Sequence, residues 1–106
     1  MFIAMNNFKI VPGKEQEFEE VWKNRETHLQ DVPGIVRFAL LRGDAEGEYV
    51  SHSTWASRDA FVAWTQSEAF AAGHRGASLM GIVAGPPQIK LFEAVIEQEF
   101  AQPAKA

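Results

Sequence analysis

The 106-residue sequence contains no cysteine. Structural disulfides, thiolate zinc sites, iron–sulfur clusters and cysteine nucleophiles are therefore excluded. Basic residues are few as well: the ten lysines and arginines are scattered along the chain, and the formal net charge is -4. Because no basic stripe is present to neutralise a phosphate backbone, we expect no nucleic-acid partner.

Long apolar runs are also absent from the sequence. No stretch approaches the roughly 20 apolar residues of a membrane-spanning helix, and the N-terminal residues lack the basic and apolar regions of a secretion signal. We therefore expect a soluble cytoplasmic protein with no membrane partner. The length predicts one domain over residues 1–100, followed by a flexible C-terminal tail over residues 101–106.

The hydrophobic pattern predicts six elements in the order strand, helix, strand, strand, helix, strand. A helix start is expected at Ser57, and a bend at Gln66-Ser67 would be needed within the second helical segment for Trp64 and His74 to meet one ligand. The predicted elements span residues 2–11, 13–30, 35–42, 49–55, 57–74 and 89–100. This order is typical of an α+β, ferredoxin-like fold, βαββαβ.

Such a sheet carries helices on one face only, so its other face needs a cover. A symmetric homodimer is the simplest cover, and we expect one. The apolar connection over residues 75–88 is punctuated by glycine and proline, and its length is typical of a functional lid.

Asn6 is the single polar residue on an otherwise apolar face of the first predicted strand. A buried amide costs about 1–3 kcal/mol unless it is hydrogen-bonded. Two interpretations therefore stand side by side: Asn6 binds a backbone group inside the fold, or it faces a ligand.

The stretch over residues 61–74 combines large aromatic residues with a terminal histidine. Phe61, Trp64 and Phe70 offer an apolar surface wide enough for a flat aromatic ligand, and neutral imidazole, here His74, is a common ligand for haem iron. Alternatively, the aromatic residues are ordinary core and His74 simply suits the negative end of a helix.

Trp22 and Arg25 lie three residues apart on the first predicted helix. They either border one cavity or form a core tryptophan with an outward-facing arginine. His28 and His52 have no partner at metal-ligand spacing, so we expect both to be structural or exposed.

Several motifs together resemble a known family over nearly the full length of the chain. They are Asn6 before Pro12-Gly13, Val32-Pro33-Gly34-Ile35, Trp55, and Ala60-Phe61-x-x-Trp64 followed by Ser67-x-x-Phe70-x-x-x-His74. With these motifs the chain resembles the antibiotic biosynthesis monooxygenase superfamily, and within it the IsdG-type haem-degrading monooxygenases. The resemblance implies a dimeric α/β barrel, in which a central β-barrel forms across the homodimer.

The resemblance also implies a chemistry in which haem b is both cofactor and substrate. His74 would ligate the iron, Trp64 would press on the macrocycle, and Asn6 would donate its amide to the distal oxygen ligand. Trp22, Arg25 and Phe70 would border the haem. Since the sequence has no dinucleotide-binding fingerprint, electrons would come from an external donor, a reductase or a small reductant.

The identity of the propionate partners stays open among Arg25, Arg75 and Lys23, and so does the bilin-type product. Three other functions remain as alternatives. A cofactor-independent quinol monooxygenase would not need an imidazole at position 74. A non-catalytic haem-binding protein would share the pocket without turnover, and a purely structural dimeric domain would bind no haem.

Overall fold

The chain forms a four-stranded antiparallel sheet with helices packed against one face. The computed structural model describes residues 1–24, 29–75 and 81–101, except for the side chains of residues 72–75. The strand order is β2-β3-β1-β4, the ferredoxin-like arrangement expected from the sequence. The elements in chain order are β1 (Phe2–Lys9), α1 (Glu15–Asn24), β2 (Ile35–Arg42), β3 (Glu48–Trp55), α2 (Arg58–Thr65), α3 (Glu68–Arg75) and β4 (Gln88–Glu93).

The alternation of β1 places its even-numbered residues beneath the helices and divides the core into two clusters. The first cluster lies at one end of the sheet and packs α1 against it. Its buried residues are Phe8, Ile10, Phe18, Tyr49 and Ile82. The second lies at the other end, beneath α2, and consists of Phe2, Ala4, Trp55 and Phe61. Asn6 lies in β1 between the two clusters.

The second helical segment is broken into α2 and α3, as the predicted bend near Gln66 requires. Ser57 is the N-cap of α2, and its hydroxyl accepts a hydrogen bond from the Ala60 amide at 3.1 Å. Ser67 performs the same function for α3 by accepting from the Phe70 amide at 3.2 Å. The Ser67 hydroxyl also donates to the Trp64 carbonyl at 2.6 Å. One serine therefore links the end of α2 to the start of α3.

The prediction of a long last strand over residues 89–100 was wrong, because β4 ends at Glu93. Glu93 pairs with Phe2, the first residue of β1, and the Ala94 amide then donates to the Met1 carbonyl at 2.8 Å. Beyond that point β1 has no residues left to pair with. The alternating residues that follow stay exposed, including Val95, Ile96 and Phe100.

The first helix is also shorter than predicted at its C-terminal end, since Leu29 and Gln30 are not helical. The predicted lid over residues 75–88 falls partly outside the described residues. Its described part is tied to β1: Val83 forms a β-bridge with Ile10, and Ile82 is buried. Ile82 therefore belongs to the core, and hydrogen bonds from Val11 to Ile82 and from Ala84 to Lys9 hold residues 82–84 against the first strand and its continuation.

The sheet face that points away from the helices carries apolar residues that no described element covers. Ile3 and Phe92 are neighbours on this face, as are Leu41 and Val50. Phe92 is 47% exposed and Leu41 is 44% exposed. Within the described ranges, no helix has both the length and the apolar character needed to cross a membrane.

Candidate functional site

A cavity of about 370 Å³ lies between the sheet and the helices, at the boundary between the two core clusters. Phe8 and Trp22 of the first cluster and Trp55 and Trp64 of the second line it. The volume falls within the range of small-molecule sites, roughly 300–1,000 Å³. The gap in the core is therefore a candidate binding site.

Asn6 lies on the sheet floor of this cavity. It pairs with Ser51 of β3 on one side and with Ile89 of β4 on the other. No hydrogen bond joins its side chain to another residue in the described part of the chain. Of the two interpretations of this amide, the geometry favours the one in which it faces a ligand, since the amide lines the cavity and no described backbone group binds it.

Aromatic side chains from three helices form the walls. Trp22 of α1 stacks on Phe38 of β2, with ring centroids 5.8 Å apart and an interplanar angle of 19°. Trp64 of α2 contacts Phe70 of α3 edge-on at 4.9 Å, and it also packs against Trp55 at 5.1 Å. Because each indole rests on another ring, the walls are held in place before any ligand enters.

Two hydroxyl groups that line the cavity, those of Ser53 and Thr65, form hydrogen bonds within the protein. Ser53 accepts a hydrogen bond from the Trp55 indole nitrogen at 2.9 Å and donates to the Ala4 carbonyl at 3.4 Å. The Thr65 hydroxyl donates to the Val62 carbonyl at 2.7 Å. Among the amide and hydroxyl groups of the described lining residues, those of Asn6 and Ser51 are therefore the ones available to a ligand.

None of the described residues that line the cavity carries an ionisable side chain. Lys23, one of the candidate propionate partners, lies elsewhere, in an open groove between α1 and the β2–β3 hairpin. Burying an unpaired charge in such an apolar cavity is costly. The cavity therefore suits the uncharged, flat part of a ligand, and any charged substituents belong at its rim.

The structure brings together four of the six predicted site residues: Asn6, Trp22, Trp64 and Phe70 all line the cavity. Arg25 lies outside the described residues. The backbone of His74 is in the last turn of α3, four positions after Phe70, and its side chain is not described. Positions four apart on a helix share a face.

Ser51 is a cavity residue that sequence reasoning did not single out. It shares the helix-facing side of β3 with Tyr49, Ser53 and Trp55. A polar residue beside aromatic ones on a strand face is a weaker form of the signal that drew attention to Asn6, because Ser53 is polar too. Phe38 and Ile89 also line the cavity and were not singled out.

A polar contact anchors α1, which carries Trp22, to the sheet. The Glu19 carboxylate accepts hydrogen bonds from Arg42, with Nη2 at 2.6 Å, and from the Tyr49 hydroxyl. The Tyr49 hydrogen bond and the Arg42 guanidinium lower the pKa of Glu19. Burial and the Glu19 contact raise the pKa of Tyr49. The contact thus joins α1 to β2 and β3 one turn before Trp22.

Residues 1–76 match the model of the antibiotic biosynthesis monooxygenase family. The match extends over most of the chain, from β1 through the end of α3, and includes all the described cavity residues except Pro87 and Ile89. The chain belongs to this family of monooxygenases.

Within this family, the chain is similar to proteins that degrade haem. The chain is 33% identical over 87 residues to a mycobilin-producing haem oxygenase of Mycobacterium tuberculosis, covering 74% of this chain and 83% of the relative. A structure of the M. tuberculosis haem degrader MhuD, with two haems bound in its active site, matches with a TM-score of 0.76 and 27% identity. That match covers 93% of this chain and all of the other. The chain is therefore homologous to IsdG-type haem-degrading monooxygenases.

A relative with a different activity matches nearly as well. The structure of SnoaB, a cofactor-independent oxygenase from Streptomyces nogalater, gives a TM-score of 0.69 and 27% identity. The match covers 91% of this chain and 94% of SnoaB. The shared fold therefore accommodates oxygenases with and without a cofactor.

Proposed function

We propose that this protein is a haem oxygenase that binds haem b, opens the porphyrin ring with oxygen and external electrons, and releases iron and a bilin-type product. The observation that carries the proposal is Asn6, a polar amide without a described partner on the floor of an aromatic-walled cavity. Homology to a haem oxygenase of M. tuberculosis supports it.

The lining of the cavity suits the flat, apolar porphyrin part of haem. Trp22, Trp64 and Phe70 present rings to a flat aromatic ligand, and no described lining residue is ionisable. A macrocycle is itself flat and largely apolar, so its burial here is favourable. The two propionates would stay at the rim, where solvent and basic side chains can reach them.

We assign a separate task to each residue around the ring. His74 would hold the haem iron through its imidazole, because position 74 lies one turn after the cavity residue Phe70 on α3. Trp64 would pack against the macrocycle, and its contacts with Trp55 and Phe70 would keep it in place. Asn6 donates a hydrogen bond from the sheet floor. Bound haem supplies the redox chemistry, with electrons from an external reductase or small reductant.

We also propose that two copies pair through the uncovered face of the sheet to form a central β-barrel. Apolar side chains on that face, such as Phe92 and Leu41, would be buried in such a homodimer. The cavity lies on the opposite face, beneath the helices. Pairing would therefore leave both cavities accessible.

A cofactor-independent quinol monooxygenase is the second candidate function. It is favoured by a cavity that Asn6 and Trp64 line without any ionisable neighbour among the described residues, and by the similarity to SnoaB. Such an enzyme needs no imidazole at position 74. The role of His74 therefore separates the two candidates.

Titration with haem tests the proposal directly. The wild-type protein is expected to develop a sharp Soret band, and His74→Ala to bind haem at least about tenfold more weakly, since an axial ligand is lost. His52→Ala is the matched control, because His52 lies on β3 and does not line the cavity. If no Soret band forms with the wild-type protein, the haem oxygenase is rejected and the quinol monooxygenase takes its place.

A further inference from the structure

Asn6 and Ser51 face each other across β1 and β3. They are Cα partners in the register of the antiparallel pair, and both line the cavity from the helix-facing side. The Cβ atoms of directly opposed residues lie about 4.5–5.5 Å apart. An amide and a hydroxyl on such positions can therefore reach the same ligand atom.

The neighbouring polar residues on this side of β3 cannot serve a ligand in the same way. The Ser53 hydroxyl is used twice, by the Trp55 indole and by the Ala4 carbonyl. The Tyr49 hydroxyl is bound to Glu19. In contrast, no hydrogen bond joins the Ser51 side chain to another residue that the structure describes.

Aliphatic residues flank this polar pair on both sides. Leu40 pairs with Ser51 on β2, and Ile89 pairs with Asn6 on β4. The row across the sheet therefore has two polar residues at its centre and apolar residues at its edges. Neither flanking side chain can form a hydrogen bond with the amide or the hydroxyl, so both groups remain available to a ligand in the cavity.

We propose that Ser51 is a second ligand-contacting donor, which forms with Asn6 a two-donor site for one oxygen or anionic atom of the ligand. The inference rests on the proposed function, since it takes the bound molecule to be haem. The oxygen or anion bound to the haem iron would then face the sheet. Two fixed donors aimed at one atom stabilise negative charge on it more than one donor does. Ser51 therefore contributes to the reaction, whereas Ser53 supports Trp55.

Fluoride is a suitable probe, because it binds ferric haem and accepts hydrogen bonds from nearby donors. Ser51→Ala and Ser51→Val both remove the hydroxyl, and valine also suits a strand. Each is expected to bind fluoride about tenfold more weakly than the wild-type holoprotein, the effect of one hydrogen bond to a charged group. Haem affinity itself should change less than about twofold. Ser51→Thr keeps a hydroxyl and should restore fluoride binding.

Thr54→Val is the matched control, since Thr54 is on the same strand but pairs with Ile3 on the opposite face. Its fluoride affinity should equal that of the wild-type protein. Normal haem binding with unchanged fluoride affinity in both hydroxyl-free variants would overturn the role of Ser51 alone. An equal loss in Thr54→Val would overturn it too, and absence of haem binding by the wild-type protein would overturn the proposed function as well.

Discussion

Trp64 packs edge-on against Phe70, with ring centroids 4.9 Å apart and an interplanar angle of 83°. The two residues are six positions apart, so on one straight helix they would face different sides. The break between α2 and α3 turns both toward the same cavity. The shape of the binding site therefore depends on a bend in the main chain, at Ser67.

The bend can be tested with two serines that cap neighbouring helices. Ser67→Ala removes the cap of α3 and the bond to the Trp64 carbonyl, and should cost about 1 kcal/mol of stability. Ser57→Ala removes only the cap of α2, at similar cost. In haem titrations, Ser67→Ala should weaken binding several-fold and Ser57→Ala should not. Equal affinities would show that the bend does not need the Ser67 bonds.

The Pro33-Gly34 motif has a steric cause that substitution can reveal. Gly34 has a φ of +85°, and a Cβ placed there would lie 2.5 Å from the Cβ of Ala60 on α2. Gly13 has a similar φ of +87°, but a Cβ there meets nothing within 4 Å. Gly13→Ala should therefore cost about 1 kcal/mol of unfolding free energy from backbone strain alone.

Gly34→Ala introduces the same backbone strain and also a clash with α2. The clash should lower the unfolding free energy by a further ~1–3 kcal/mol. Urea unfolding of the two variants and the wild-type protein measures both terms. Equal losses at the two positions would mean that the close approach of Gly34 to Ala60 carries no energetic weight.

The Glu19 contact predicts how stability depends on pH. Tyr49 and Arg42 lower the pKa of Glu19 below its ordinary value of 4.5. The ionised carboxylate therefore contributes fully to the free energy of unfolding above about pH 4.5. The contribution is lost as the pH falls through the lowered pKa of the folded state. Glu19→Gln should therefore be less stable than the wild-type protein near neutral pH, and the difference should shrink in acid.

Urea midpoints at about pH 7 and about pH 3 measure this difference. Glu17→Gln is a suitable control, because Glu17 makes only an exposed 3.9 Å pair with Lys14. Its effect should stay under about 0.5 kcal/mol at either pH. A Glu19→Gln deficit that persists unchanged in acid would contradict the electrostatic origin of the contact.

The proposed homodimer predicts a selective effect of charge on the uncovered sheet face. Phe92→Asp places a carboxylate among apolar residues of that face and should yield monomers, because an unpaired buried charge is costly. Val62→Asp is the control, since Val62 is similarly exposed, at 41% against 47% for Phe92, but lies on α2. Light scattering should give dimers for the wild-type protein and Val62→Asp. If Phe92→Asp also forms dimers, the uncovered sheet face around Phe92 is not the dimer interface.

The sequence predicted the order of strands and helices along the chain and the position of Asn6 in the first strand, because both follow from local patterns. Alternation in β1 assigns faces residue by residue, so a single polar residue on the inner face stands out. Ser51 carries the same signal, but serine is common on strands and its burial costs less than that of an amide. Its importance becomes visible only when the register places it opposite Asn6.

The last strand was wrongly predicted to extend to residue 100, and the cause is non-local. Residues 94–100 alternate as a strand does, but a strand also needs a partner, and β1 starts at Phe2. In the predicted lid, the described residues 82–84 are tied down for a similar reason, since the bridge between Val83 and Ile10 joins residues far apart in sequence. Pairing between distant segments is the information that periodicity lacks.

Single-turnover decay of bound haem distinguishes a haem oxygenase from a protein that only binds haem. Ascorbate is added in air, with catalase present, to the haem-loaded wild-type protein and to Asn6→Ala, and the Soret band and chelatable iron are followed. We predict that the wild-type band decays into bilin-like absorbance with iron release. Asn6→Ala should bind haem nearly normally and degrade it about 10²-fold more slowly, as loss of an aimed donor predicts. A wild-type Soret band that persists through reduction, without iron release, would show that the protein binds haem but is not a haem oxygenase.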